Sequence, residues 1–155
     1  MNALSDQDAA YIAGIIDGEG CIGIYGSHLG VHLSLTVIVV STHRPLVEWL
    51  HGVTGIGHLR TDPPPKPRHR QSWRWTIRSK AAAGLLRSIR PRLIVKALQA
   101  DFAVEFADTM TSVGTVHSLS EAVYEHRAAL CASVRRLNCR GQDLVGPGDI
   151  RIEVE

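Results

Sequence analysis

Apolar positions along this chain recur with two different periods. Ile12, Ile15 and Ile16 follow helical spacing and stop at Gly18 and Gly20, which predicts a short helix running directly into a strand. There the period drops to two, with Cys21, Gly23 and Tyr25 expected on an exposed side and Ile22 and Ile24 buried. From 31 to 40, Val31, Leu33, Leu35, Val37 and Val39 point to a core, while His32, Ser34, Thr36, Ile38 and Val40 form a second face that begins polar and ends apolar. In a later strand Trp75 and Ile77 are assigned to the core, and Arg74 and Thr76 to the opposite face. Trp73 suits either packing or exposed stacking.

The helices between and after these strands have recognisable starts. Thr42, before Arg44-Pro45, can cap a helix carrying Leu46, Val47, Trp49 and Leu50 to about Gly52. Ser79 can cap Lys80 to Ile89, and Pro91 is expected to start a longer helix through Leu93, Val95, Leu98, Phe102 and Phe106. Ser118 or Ser120 opens a last helix holding Ala122, Val123, Ala129, Leu130 and Val134, and the tail after Asn138, with two glycines around Pro147, is expected to be extended or poorly ordered. Between the two later strands, PPPKPRHR at 63–70 has no apolar periodicity, and its prolines favour an extended loop. The order helix, two strands, helix, two strands, helix, with one further C-terminal helix, predicts an α+β fold in a single domain over 1–155.

Composition adds bounds. With 155 residues, 45% hydrophobic and 5% aromatic, the chain suits one globular domain, and no secretory signal or membrane-spanning run is visible, so an intracellular, cytoplasmic or organellar, location is expected. Cys21, Cys131 and Cys139 lack CxxC spacing and paired histidines, which favours unpaired thiols over disulfides or zinc. The net charge of +2 alone does not suggest nucleic acid, but its distribution does. Arg60, Lys66, Arg68, Arg70, Arg74, Arg78, Lys80, Arg87, Arg90, Arg92 and Lys96 follow one another with only Asp62 opposing them, the usual footprint of a phosphate-binding surface.

The most informative segment is YIAGIIDGEGCIGI, from Tyr11 to Ile24. Asp17 and Glu19 fall at the C-terminal end of the helix, where the macrodipole is negative, so something positive must compensate them. A divalent cation held by the Glu19 carboxylate and the Gly18 carbonyl would do so, while a plain C-capping turn suits the same DGEG residues. Ala10, Gly14 and Gly18 recur every fourth residue as a flat stripe that another backbone could approach closely. The stretch is too short and too charged for a membrane, which leaves a soluble helix packed on a copy of itself.

IAGIIDGEG, from Ile12 to Gly20, resembles the motif that names the LAGLIDADG homing endonucleases, with Ile for Leu and Glu for the final Asp. GIGHLR at Gly55 to Arg60 and RWTIRSKAAAGLLRSIRPRLIVKALQA at Arg74 to Ala100 continue the resemblance over roughly residues 8–110. A single copy of the motif implies the homodimeric branch, joined by an isologous contact through Ala10, Gly14 and Gly18.

The resemblance implies an αββαββα fold whose twisted antiparallel sheet enters the DNA major groove, and a metal-dependent double-strand break in a long pseudo-palindromic target. It assigns Glu19 and Gly18 to the metal, Mg²⁺ with Ca²⁺ or Mn²⁺ as substitutes, Lys96 to transition-state charge or water activation near the scissile phosphate, and Ser41 to the end of the second strand, where the family often has glutamine or another polar residue. Asp17 is expected to brace the helix end. For double-stranded DNA the residues expected to make contact are Tyr25, His32, Ser34, Thr36, Ile38, Arg60, Asp62, Lys66, Arg68, Arg70, Ser72, Arg74 and Thr76, with Arg60 and Arg74 the candidates for bidentate contact to guanine. An intron RNA maturase and a non-cleaving DNA-binding regulator are the alternative functions for the same scaffold.

Overall fold

A computed structural model describes residues 1–26, 33–64, 66–110 and 120–139. The elements are α1 (Asp6–Glu19), β1 (Gly20–Tyr25), β2 (Ser34–Ser41), α2 (Arg44–Thr54), β3 (His58–Asp62), β4 (Ser72–Arg78), α3 (Ser79–Ile89), a 3₁₀ turn (Arg90–Arg92), α4 (Ala97–Asp108) and α5 (Glu121–Asn138). The expected αββαββα order is present, extended by α4 and α5. Val31, His32, Ser118 and the tail beyond Cys139 lie outside the described residues.

The four strands form one antiparallel sheet in the order β1-β2-β4-β3. Alternation turns Ile22, Ile24, Leu35, Val37, Val39, Trp75 and Ile77 to a single face, where all are buried with Ile12, Ile16, Leu50, Leu85, Leu86 and Phe106 from the helices. A one-residue slip of β2 would expose Leu35, Val37 and Val39, each contributing about 1.5–3 kcal/mol by burial. The core therefore fixes the register, and the register fixes which side chains reach the open face. Trp73 packs against the core, half-buried, and does not stand free for stacking. Trp75 Nε1 donates to the Ile56 carbonyl at 2.9 Å, and a Cβ on Gly57, whose φ is +90°, would stand 2.6 Å from that nitrogen. Only glycine fits there.

The edge strand β1 is protected by α5, whose buried side comprises Leu130, Cys131 and Val134. Asn138 Nδ2 donates to the Ile22 carbonyl at 2.8 Å and the Cys131 thiol to the Ile24 carbonyl at 3.5 Å, so edge carbonyls that could pair with another strand are occupied. Cys21, Cys131 and Cys139 are free thiols, and no helix among the described residues is long and apolar enough to cross a membrane.

Four local expectations change. Thr42 does not cap α2; the N-cap is His43, and its N–H donates to Ser41 Oγ at 3.0 Å. Ser79 does not cap α3, because at φ +53° it is the left-handed first residue of the helix, with its hydroxyl 3.1 Å from that of Ser34. Lys66 to His69 form a turn closed by the His69 N–H on the Lys66 carbonyl at 2.9 Å, where prolines suggested extension. The long helix expected from Pro91 is interrupted: after the 3₁₀ turn Leu93 is extended, and α4 starts only at Ala97.

Candidate functional site

The interruption before α4 and the acids ending α1 belong to one arrangement. The last four carbonyls of a helix have no partner further along it, and Asp17 places a carboxylate in that region. Its oxygens accept the Ile94 N–H at 2.8 Å and the Lys96 N–H at 2.9 Å, while Lys96 Nζ donates to the Asp17 carbonyl. Burial pushes the Asp17 carboxyl up, but the N–H groups of Ile94, Lys96 and Val95 and the Lys96 ammonium outweigh it and hold the group below its ordinary value. Asp17 thus braces the break from 77 and 79 residues away, acting as an anion at the N-terminal end of α4. Its own unfavourable position on α1 is compensated within the chain.

Glu19 is not compensated in this way. It ends α1 exposed, and among the described residues no side chain pairs with it. The Gly20 N–H takes the Ile15 and Ile16 carbonyls and Lys96 takes that of Asp17, which leaves the Gly18 carbonyl beside the Glu19 carboxylate with no partner within the helix. One carboxylate and one carbonyl are hard oxygen donors of the kind Mg²⁺ and Ca²⁺ accept. Among the described residues no three His, Cys, Asp or Glu side chains converge, so these two donors by themselves would give a cation only part of its shell. Ser41 ends β2 two residues beyond Val39, the partner of Gly20, and so lies at the same end of the sheet as Glu19; it pairs with Trp73 across β2 and β4, and its Oγ accepts the His43 N–H.

The face of the sheet opposite the helices carries the side chains selected by alternation. Strand pairing sets His58 beside Thr76, Arg60 beside Arg74 and Asp62 beside Ser72, then Ile38 beside Thr76 and Cys21 beside Ile38. Ser34, Tyr25, Ser72, Arg74 and Thr76 are at least partly exposed on it. Thr36 departs from expectation, being buried at 5% exposure opposite Gly23. The Tyr25 ring lies back along β1, where a Cβ on Gly23 would meet it at 2.5 Å, and its hydroxyl is 3.3 Å from the Cys21 thiol. Burial, then the hydrogen bond and charge of Cys21, push the Tyr25 phenol up to about 12. His58 and Arg78 are exposed on the same face; the sequence marked Arg78 as part of the basic block, whereas His58 is placed there by its pairing with Thr76.

The basic block divides in three dimensions. Arg87 pairs with Asp108, Arg90 with Asp101 at 2.6 Å and Arg92 with Asp6 at 2.6 Å, all in the helical layer and all neutralised. Arg60, Arg74 and Arg78 stand on the open sheet face, and Lys66, Arg68 and Arg70 are exposed in the connection between β3 and β4. The sheet side therefore keeps the positive excess expected of a surface facing a polyanion. Asp62 accepts Arg60 Nε at 2.8 Å and Arg74 Nε at 2.7 Å, and hydrogen bonds first from Arg74 and then from Arg60 hold its carboxyl below its ordinary value.

No family sequence model and no curated protein sequence matches the chain. Solved structures do. The homing endonuclease I-CvuI, crystallised with its target in the presence of Ca, superposes with a TM-score of 0.69 at 18% identity over 88% of this chain and 85% of that one. The archaeal intron-encoded homing endonuclease I-Vdi141I, complexed with DNA, gives 0.69 at 17% identity over 88% and 87%. The LAGLIDADG meganuclease I-AabMI, bound to uncleaved DNA, gives 0.63 at 15% identity over 81% of this chain but 44% of that one. The chain has the fold of the LAGLIDADG homing endonucleases, with its IAGIIDGEG segment forming the helix that carries Glu19 to the end of the open sheet.

Proposed function

We propose that the protein is a site-specific DNA endonuclease that works inside the cell as a homodimer, binds double-stranded DNA on its open sheet face and cuts both strands with a divalent metal such as Mg²⁺. The observation that carries this reading is the unequal treatment of two acids at one helix end. Asp17 is satisfied by the chain itself, whereas among the described residues no side chain pairs with Glu19, which follows by two residues the Asp17 carbonyl that Lys96 holds. The same fold is seen bound to DNA in I-CvuI and I-Vdi141I.

Glu19 and the Gly18 carbonyl would hold the cation, which when bound supplies charge neutralisation at the phosphate and a more acidic water. The chain's own contribution is positional. Asp17 fixes the backbone of Ile94 and Lys96, and Lys96, tied to the last turn of α1, keeps an ammonium group within the same corner to offset charge that develops on the phosphate. Arg60, Arg74 and Arg78 face base edges and phosphates, with Lys66, Arg68 and Arg70 along the flanking backbone.

Support for the dimer comes from what α1 leaves uncovered. Ala10, Gly14 and Gly18 are exposed, and a Cβ on Gly14 or Gly18 would meet nothing within 4 Å, so packing within the chain does not require glycine there. Glycine inside a helix costs about 1 kcal/mol relative to alanine, which a close backbone contact with a second copy would explain. Ile94 and Val95, 86% and 69% exposed beside the end of α1, extend that surface with apolar side chains. The direct test is selection of cleaved sites from a randomised duplex library with Mg²⁺. Recovery of one long sequence with near two-fold symmetry supports the reading; no cleavage with any of Mg²⁺, Mn²⁺ or Ca²⁺ opposes it.

A further inference from the structure

Arg60 and Arg74 are direct partners across β3 and β4, on one face of the sheet. Two like charges set opposite each other repel, and each long side chain is free to swing to a phosphate. Asp62 prevents both. It lies on the same face two residues along β3, its side chain is only 14% exposed, and it gives one carboxylate oxygen to each arginine. The two contacts differ. Arg60, 73% exposed, lies side-on with both Nε and Nη2 on Oδ1 at 2.8 Å, whereas Arg74, 36% exposed, gives only Nε to Oδ2 at 2.7 Å.

We propose that Asp62 is a positioning residue that sets base specificity: by holding Arg74 at Nε it turns that residue's terminal Nη1 and Nη2 edge outward as a fixed fork for guanine. This inference rests on the reading of the open face as the surface for double-stranded DNA. Guanine presents O6 and N7 side by side in the major groove, and a guanidinium whose inner nitrogen is already engaged meets them with its two terminal N–H groups. Arg60, with its inner edge consumed by Oδ1, balances the charge of Asp62 and leaves the pair of arginines with a single net positive charge. The carboxylate also discourages either arginine from settling on a phosphate. Asp62 touches no base in this scheme; it acts through Arg74.

The scheme separates specificity from affinity. With the selected target and metal-free or Ca²⁺ conditions, binding is measured for the parent, Asp62→Asn, Arg74→Ala and the double variant, against duplexes changed at single base pairs and against unrelated DNA. Asp62→Asn is expected to bind unrelated DNA several-fold more tightly, with a salt slope steeper by about one unit as an arginine reaches a phosphate. At one G·C pair in each half-site its preference should fall by about tenfold or more. The double variant should discriminate no worse than Arg74→Ala at that pair, because Asp62 has no other route to the base. Arg74→Lys, which leaves Asp62 untouched, keeps the charge without the fork and should lose the same preference while retaining affinity for unrelated DNA. Parallel weakening of target and unrelated DNA by Asp62→Asn, with a lowered Tm, would assign Asp62 to strand stability and overturn the proposal. So would unchanged preference at every base pair in a variant whose parent discriminates. A parent with no preference for any duplex would remove the DNA reading and this inference together.

Discussion

Lys96 is the residue whose role is most exposed to test. Its ammonium is held on the Asp17 carbonyl, so its position is set by the protein before any substrate arrives. If it offsets charge that appears only as the phosphate is attacked, Lys96→Met should slow single-turnover cleavage by orders of magnitude and leave affinity nearly unchanged. Arg68, exposed on the connection between β3 and β4, provides the contrast. Arg68→Ala should weaken binding, flatten the salt slope by about one unit and leave the rate of the bound complex intact. Quench-flow kinetics with saturating protein, paired with titrations at several salt concentrations, distinguish the two patterns; equal losses of rate would remove Lys96 from the chemistry.

At the scale of elements, the break between the 3₁₀ turn and α4 is the decisive piece of architecture, and it was the least legible in the sequence. Leu93, Val95, Leu98, Phe102 and Phe106 have helical spacing from Pro91, yet the helix begins only at Ala97, because the N–H groups of Ile94 and Lys96 are taken by a carboxylate 77 and 79 residues earlier. No local pattern reports a hydrogen bond of that span. The strands were legible because a buried face imposes strict alternation, and Ile22, Val37, Trp75 and Ile77 all fall where period two puts them. Thr36 was not, since its burial depends on Gly23 and the fold-back of Tyr25 on the neighbouring strand. Glu19 and Lys96 could be marked one by one, but the seating of Lys96 on the Asp17 carbonyl in the last turn of α1 required the fold.

The tether of Asp17 has a pH signature. Its folded carboxyl titrates below the ordinary value of 3.8, so its contribution is fully present above that value and is lost as pH falls through the lower folded one. Asp17→Asn should therefore lower Tm at neutral pH, and the gap from the parent should close as the pH drops below the ordinary carboxylate range. Melting curves across that range check it; a gap of constant size would show that the carboxylate charge contributes nothing. Cleavage by this variant should fall as well, because Lys96 loses the backbone anchor that positions it.

For the whole molecule, cutting both strands calls for two copies under the proposed function, since one copy offers one Glu19 and an exposed stripe of glycine and alanine on α1. Gly14 is exposed and a Cβ there has nothing within 4 Å, so Gly14→Leu should leave the Tm of the protomer close to that of the parent while separating the dimer. Sedimentation at micromolar concentration, with thermal melts alongside, tests this. A monomeric parent, or a dimeric Gly14→Leu, would move the interface elsewhere. Mixing the separated variant with DNA should give nicking at most, if each protomer supplies its one Glu19 to one strand.

The central claim is that Glu19, and not its neighbour Asp17, is the acid kept for the metal. Glu19→Gln removes the charge with little change of shape, so it should bind the selected target as tightly as the parent in metal-free buffer and cleave neither strand in Mg²⁺. The most direct measurement is therefore cleavage and binding by Glu19→Gln on one duplex in one buffer series. Full binding with cleavage lowered by orders of magnitude is the predicted result; cleavage at the parent rate would contradict the account.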